Sequence, residues 1–166
     1  MTCNWAQYPG GANAPLYVQH ADEGYSESWL ADLDAVYLRL FEIDDVGARP
    51  LGRFLAAALA GIRQRQPRNA IVDLRGNGGG NYLKARSFAA ELGKVIPGKV
   101  FIITDGGTFS AALVTAACLK AASPGRARLV GEHPGDFEQF WAEGGGSLTL
   151  PNSGLHIGMA TAPTRP

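Results

Sequence analysis

The chain is poor in cysteine, in net charge and in long apolar runs, and each shortage removes a class of protein. Two cysteines in 166 residues, Cys3 and Cys118, make neither a disulfide framework nor a set of metal ligands. Cys118 lies in an alanine-rich helical run, where it reads as an inert buried thiol. Fifteen basic residues cancel fifteen acidic ones, so neither a nucleic acid nor an anionic membrane is implied as a partner. The longest apolar run, around residues 54–62, is far too short to span a bilayer. The opening stretch, MTCNWAQYPGG, has neither the basic n-region nor the apolar h-region of a signal peptide. There is no internal repeat. What remains is 46% hydrophobic, enough for one domain with a real core and too little chain for two.

Residues 1–28 are rich in Gly, Pro, Asn and Ser and read as an irregular N-terminal segment, leaving 29–166 as a single domain. "VYLRLF", residues 36–41, has the β-branched and aromatic content and the alternation of a strand. Pro50 suits the first turn of a helix over 51–66, where Leu51, Leu55, Leu59 and Ile62 fall at helical spacing until Pro67 stops it. Residues 70–74 and 100–104 (VFIIT) read as short buried strands, separated by a helix over 82–92 that Gly93 ends. An alanine-rich helix follows over 110–121, then a short strand at 128–130. Residues 148–150 and 155–159 flank "PNSG", the turn signal of a hairpin. Strands alternating with helices predict an α/β fold with a mainly parallel sheet, covered on both faces.

The segment "AIVDLRGNGGGNYLKA" runs a strand into four glycines within five positions and then into a helix. A strand-to-helix turn of bare N–H groups is an anion cradle. A dinucleotide fits poorly, because Asn81 stands where the third glycine of G-x-G-x-x-G belongs, and no Gly-Lys-Ser/Thr follows for a phosphate loop. An oxyanion fits better. Thirty residues on, "TDGGTFSAAL" ends the next strand and opens a helix at Ser110. Alone, Ser110 reads as a helix cap. Successive parallel strands, however, set their C-terminal loops side by side, so Ser110 and the amides of Gly78 and Gly79 are expected to face one another, with the hydroxyl within about 6 Å of a glycine amide from residues 78–80, a nucleophile beside oriented donors.

Four segments in order, "IVDLRGNGGG", "TFSAAL", "LVGEHPGD" and "LPNSGLHI", resemble the S41 family of serine peptidases, the tail-specific (C-terminal processing) proteases with their tricorn-core and retinoid-binding-protein relatives. The resemblance runs from about residue 36 to 159. It implies the ClpP/crotonase-like fold, a spiral of ββα units, with Ser110 as nucleophile and the amides of Ala111 and of the Gly78–Gly79 loop as oxyanion hole. It also implies a peptide or protein substrate, no cofactor, no metal and an extracytoplasmic setting.

The proton acceptor departs from that pattern. The lysine of the tail-specific branch would fall at about Asp136, and an acid cannot replace a free amine. His133, oriented by Glu132, is the candidate base, on a loop that returns to the same sheet edge; a solvated loop histidine is the plain alternative. His20 and His156 read as peripheral, and Lys84 as a surface lysine for which a base role is conceivable. Asp73 and Arg75 read as a structural ion pair, Ser153 as a turn residue, and Asn77 and Asn81 as tolerating left-handed backbone. Phe137, Phe140 and Trp141 are candidates to wall a side-chain pocket. The expectation is a minimal core or a piece of a longer chain, with peptidase activity that is weak or undetectable in this chain by itself. Two alternatives stand beside it: a base-less domain that binds peptide or another ligand, and an acyl-CoA enzyme of the crotonase type.

Overall fold

The computed structural model describes residues 14–20, 22–136 and 140–164. A single turn of helix α1 (Leu16–Gln19) leads to strand β1 (Tyr25–Leu30) and, through a 3₁₀ turn at Ala31–Leu33, to β2 (Ala35–Leu40). Helix α2 (Leu51–Arg65), β3 (Asn69–Asp73), α3 (Leu83–Val95), β4 (Val100–Thr104), α4 (Ala111–Ala122) and β5 (Ala127–Gly131) follow. A hairpin of β6 (Phe140–Thr149) and β7 (His156–Thr164) closes the described chain. The sheet order is β1-β2-β3-β4-β5, antiparallel between β1 and β2 and parallel thereafter. The fold is α/β with a mainly parallel sheet.

Strand β1 begins inside the segment 1–28 that reads as irregular and runs past its end, and α1 lies within it, so regular structure starts before residue 29. Its sequence, YSESWL, carries only Tyr25, Trp29 and Leu30 as large apolar groups. Pairing with β2 makes it a strand where composition does not.

Register explains the core. Val36 pairs with Ala70 and Ala70 with Val100, while Leu38 pairs with Val72 and Val72 with Ile102. These side chains share one face and are fully buried against Leu55, Ile62, Phe88, Leu92 and Leu119 of the three long helices. Successive right-handed crossovers between neighbouring strands lay those helices on the same side. The sheet is therefore not covered on both faces by helices. On the other side Ile71, Phe101 and Ile103 are half-exposed and Val130 is 47% exposed, lining a groove of about 430 Å³.

Gly93 does not end α3. The helix continues to Val95, and a Cβ at Gly93 would stand 2.8 Å from that of Ala122, so this glycine is where α4 crosses closely. Arg126 instead serves the helix end, donating to the carbonyls of Gly93 and Ile96. Helix α4 is buried on almost every side, from Ala111 to Leu119, as its alanine content permits. Cys118 is half-buried and packs at the core's edge, less enclosed than its alanine-rich setting suggests; Cys3 lies outside the described residues. The hairpin is much longer than its turn signal predicts, and Trp141 on it is 67% exposed, which removes it as a pocket wall. Phe137 and the side chain of Phe140 lie outside the described residues. No described helix is long and apolar enough to cross a membrane.

Candidate active site

Two strand ends meet at one corner. After β3 the chain passes through residues 76–80, and after β4 through residues 105–110. Asn77 ties them together from a fully buried position. Its Nδ2 donates to the Leu40 carbonyl at 2.7 Å, its Oδ1 accepts from the Gly79 amide at 2.9 Å, and its carbonyl accepts from the Phe109 amide at 2.9 Å. Asn77 is thus a staple between three segments and has no left-handed backbone, in contrast to the sequence reading. Asn81 likewise works through its side chain, accepting from the Leu83 amide at 3.1 Å at the start of α3. Asp105 adds a second tie, its Oδ1 accepting from the amides of Gly76 at 2.8 Å and Gly107 at 2.9 Å. The buried Thr108 hydroxyl donates to the Leu74 carbonyl at 2.9 Å.

Ser110 sits in this frame with φ +51° and ψ −121°. Those angles, with the Ala112 amide donating to the Phe109 carbonyl at 3.0 Å, define a type II′ turn with Ser110 at its first central position. Glycine normally holds that position, and a side chain there costs about 1–3 kcal/mol. The hydroxyl makes no capping bond, so capping does not account for the residue. Ser110 is half-buried, while Phe109 is 44% exposed and does not enclose the turn as its apolar character suggests.

The glycine loop approaches closely enough to exclude any side chain. A Cβ on Gly79 would stand 2.8 Å from Ser110 Cβ, 3.2 Å from its Oγ and 3.2 Å from the Ala111 amide nitrogen. Covalent geometry then puts the Gly79 amide within about 6 Å of the hydroxyl. Gly79 has φ +118°, a conformation reserved for glycine. Its N–H is already given to Asn77, so Gly79 contributes closeness, whereas Gly78 faces open space and has ordinary φ. The Ala111 amide opens the twelve-residue helix α4, whose positive end therefore points at this corner.

Among the described residues no side chain hydrogen-bonds the Ser110 hydroxyl. His133 is exposed, with Nδ1 at 2.7 Å from the Pro134 carbonyl. Its loop reaches the Ser110 loop through Gly135, whose amide donates to the Thr108 carbonyl at 3.1 Å. Glu132 is pinned by its backbone to Thr104 and lines a different cleft. His20 pairs with Glu23 at 2.7 Å, and His156 with Thr149 at 2.9 Å across the hairpin. Lys84 is no free amine: it lies 2.6 Å from Asp44 and 2.7 Å from Asp45, and these hydrogen bonds push its pKa up and both carboxyls down.

Beside the corner runs the ion cluster that "DLR" announces. Arg75 grips the buried Asp73 through Nε at 2.9 Å and Nη2 at 2.5 Å, and Tyr37 donates its hydroxyl to the same carboxylate at 2.6 Å. Burial pushes the Asp73 carboxyl up, but hydrogen bonds from Arg75 and Tyr37 outweigh it and hold the group below the ordinary carboxylate range. Burial and the Asp73 bond together push the Tyr37 phenol up. Arg39, from the neighbouring strand, is 5% exposed and was not legible as part of this cluster.

No protein-family model matches the chain, and no curated protein matches it. Solved structures do. A protein from Parabacteroides merdae, provisionally named a peptidase, superposes with TM-score 0.54 at 18% identity. One from Bacteroides fragilis, provisionally named an S41 protease, gives 0.58 at 13%. The likeness is one of fold. A lipoprotein from Streptococcus agalactiae shares it too, with TM-score 0.56 at 15% identity. The matches cover 78%, 82% and 82% of this chain but only 48%, 43% and 57% of the respective structures, so the chain spans about half their length.

Proposed function

We propose that this chain is the core of an S41-type serine hydrolase that cleaves peptide bonds through an acyl-enzyme on Ser110. The observation that carries the reading is a serine in a glycine-type turn, making no cap and held against a glycine that leaves room for nothing else. Strain of this kind is retained where the surrounding structure over-determines it, and such positions cluster at active sites.

In the proposed reaction Ser110 Oγ attacks the carbonyl carbon and its proton passes to His133. The negative oxygen rests between the amides of Ala111 and Gly78 at the positive end of α4, with Gly79 supplying the space and, after release from Asn77, a further donor. Collapse expels the amine with the proton from the imidazolium, and water hydrolyses the ester by the reverse relay. His133 must turn from the Pro134 carbonyl to do this, with Glu132 as the acid beside it in sequence.

A second reading is favoured by one observation: no described side chain hydrogen-bonds Ser110. A domain that keeps the corner but not the base binds peptide without cleaving it. A fluorophosphonate probe separates the two. Labelling of the parent, abolished in Ser110→Ala and diminished in His133→Ala, is the expected result. A parent that does not label overturns the hydrolase.

A further inference from the structure

Asp73 needs no second arginine. Its oxygens accept from the Arg75 amide, Nε and Nη2 and from the Tyr37 hydroxyl, which uses the four lone-pair sites of a carboxylate. Arg39 is the residue paired with Asp73 in the β2–β3 register, yet its Nη1 comes only to 3.8 Å of Oδ1, too far for a hydrogen bond. Its Nε and Nη1 are buried with no hydrogen-bond partner. A buried guanidinium with idle donors is costly, and the cost is removed when an acceptor arrives.

The guanidinium is held ready for one. Arg39 stacks 5.7 Å from the Tyr17 ring centroid and 5.3 Å from that of Phe41, and Arg75 lies 4.2 Å from the Tyr17 ring. All four residues line an open cleft of about 640 Å³ above the row that Asp73, Ile103 and Val130 make across the sheet. Asp105 and Glu132 line it as well, but the Asp105 carboxylate is taken by the amides of Gly76 and Gly107, and Glu132 forms no ion pair with either arginine. Phe41 and Gly76 belong both to this cleft and to the smaller pocket, about 330 Å³, over Gly78, Gly79 and Gly80. A chain lying in one continues into the other.

We propose that this cleft is a carboxylate-binding site, in which the Arg39 guanidinium donates to the carboxylate and Arg75 Nη1 closes on its other side. That the carboxylate belongs to a peptide, as a side chain or a free C-terminus, rests on the hydrolase reading; the recognition of the carboxylate does not.

Titration of the full chain with three probes tests it: acetyl-tetra-alanine as the free acid, the same peptide as its C-terminal amide, and an amide carrying one glutamate. The acid or the glutamate peptide, whichever source the cleft takes, is expected to bind at least tenfold more tightly than the uncharged amide. Arg39→Met is expected to erase that preference while melting at or above the parent's temperature, because it removes a buried guanidinium whose Nε and Nη1 have no hydrogen-bond partner, while Asp73 keeps its hydrogen bonds from Arg75 and Tyr37. Arg39→Lys keeps the charge, loses the planar guanidinium and is expected to lose most of the preference. Equal affinity for all three probes overturns the proposal, as does a preference that survives Arg39→Met. An Arg39→Met variant that melts far below the parent or does not fold overturns it too, since Arg39 is then a structural counter-ion. Binding is read without reference to Ser110. A carboxylate preference in a protein that no fluorophosphonate labels leaves this site standing and removes the hydrolase, and labelling without the preference does the reverse.

Discussion

The glycine corner and the arginine cleft lie side by side at the ends of the same strands, and they hold their free energy in different forms. At the corner the backbone is strained while the polar groups around it are tied: Asn77, Asp105 and Thr108 each have partners, and Ser110 bears an unfavourable φ. At Arg39 and Asp73 the backbone is regular strand, and the tension is electrostatic, a buried arginine next to a carboxylate that is already saturated. Strain in a turn fixes where an atom stands. An idle charge fixes what chemistry is welcome. The two together suit a site that must both position a group and select it.

The comparison is broken most severely through Asp73, which neutralises the cleft. Asp73→Asn leaves Arg39 and Arg75 facing one another without an anion and is expected to cost about 3–5 kcal/mol in denaturant unfolding. The same carboxylate sets an acid limit. Its folded pKa is lowered, so its contribution is complete above the unfolded value of about 3.9 and is lost as pH falls through the folded one. The parent should lose stability in that window, and Asp73→Asn should lack that part of the transition.

At the corner, Gly79→Ala is next in size. With φ +118° and Ser110 Cβ 2.8 Å from the new methyl, destabilisation of about 2 kcal/mol or more is expected, seen as a lower melting temperature. The opposite sign is expected at the neighbouring strained position. Ser110→Gly relieves the type II′ turn and should stabilise the domain relative to Ser110→Ala by about 1 kcal/mol, while both abolish fluorophosphonate labelling. Equal stabilities would mean that the turn stores no strain. The smallest effect belongs to Gly78→Ala, where the methyl meets open space at ordinary φ. A change within about 0.5 kcal/mol is expected, so any fall in labelling reports blocked access to the cradle and not a damaged fold.

Much of the fold is legible in the residues. VFIIT is β4 to the residue, and the stripe from Leu51 to Ile62 is the buried side of α2. The errors have physical causes. Phe101 and Ile103 read as buried because a run of apolar residues reports strand content and not what covers each face. YSESWL became a strand through its partner. Gly93 reads as a stop because a glycine late in a helix signals a cap as readily as a close crossing. The placing of Ser110 against the glycine loop follows from strand order, whereas its turn type does not, since nothing in "TFSAA" announces a glycine conformation. Asn77 and Arg39 were the least visible. An asparagine among glycines looks like a turn former, and the single signal at Arg39 is one charged residue inside VYLRLF.

The strand order also sets the order of assembly. β2, β3, β4 and β5 each pair with the strand before them, so every parallel pairing closes a segment of about thirty residues, and none waits for the far end of the chain. Emerging from the ribosome N-terminus first, each new strand meets a finished edge. The hairpin of β1 and β2 needs no later strand for its pairing, whereas the corner needs α4. The loop that carries His133 follows α4 and β5 in the chain, so it is the last of these segments to reach the corner.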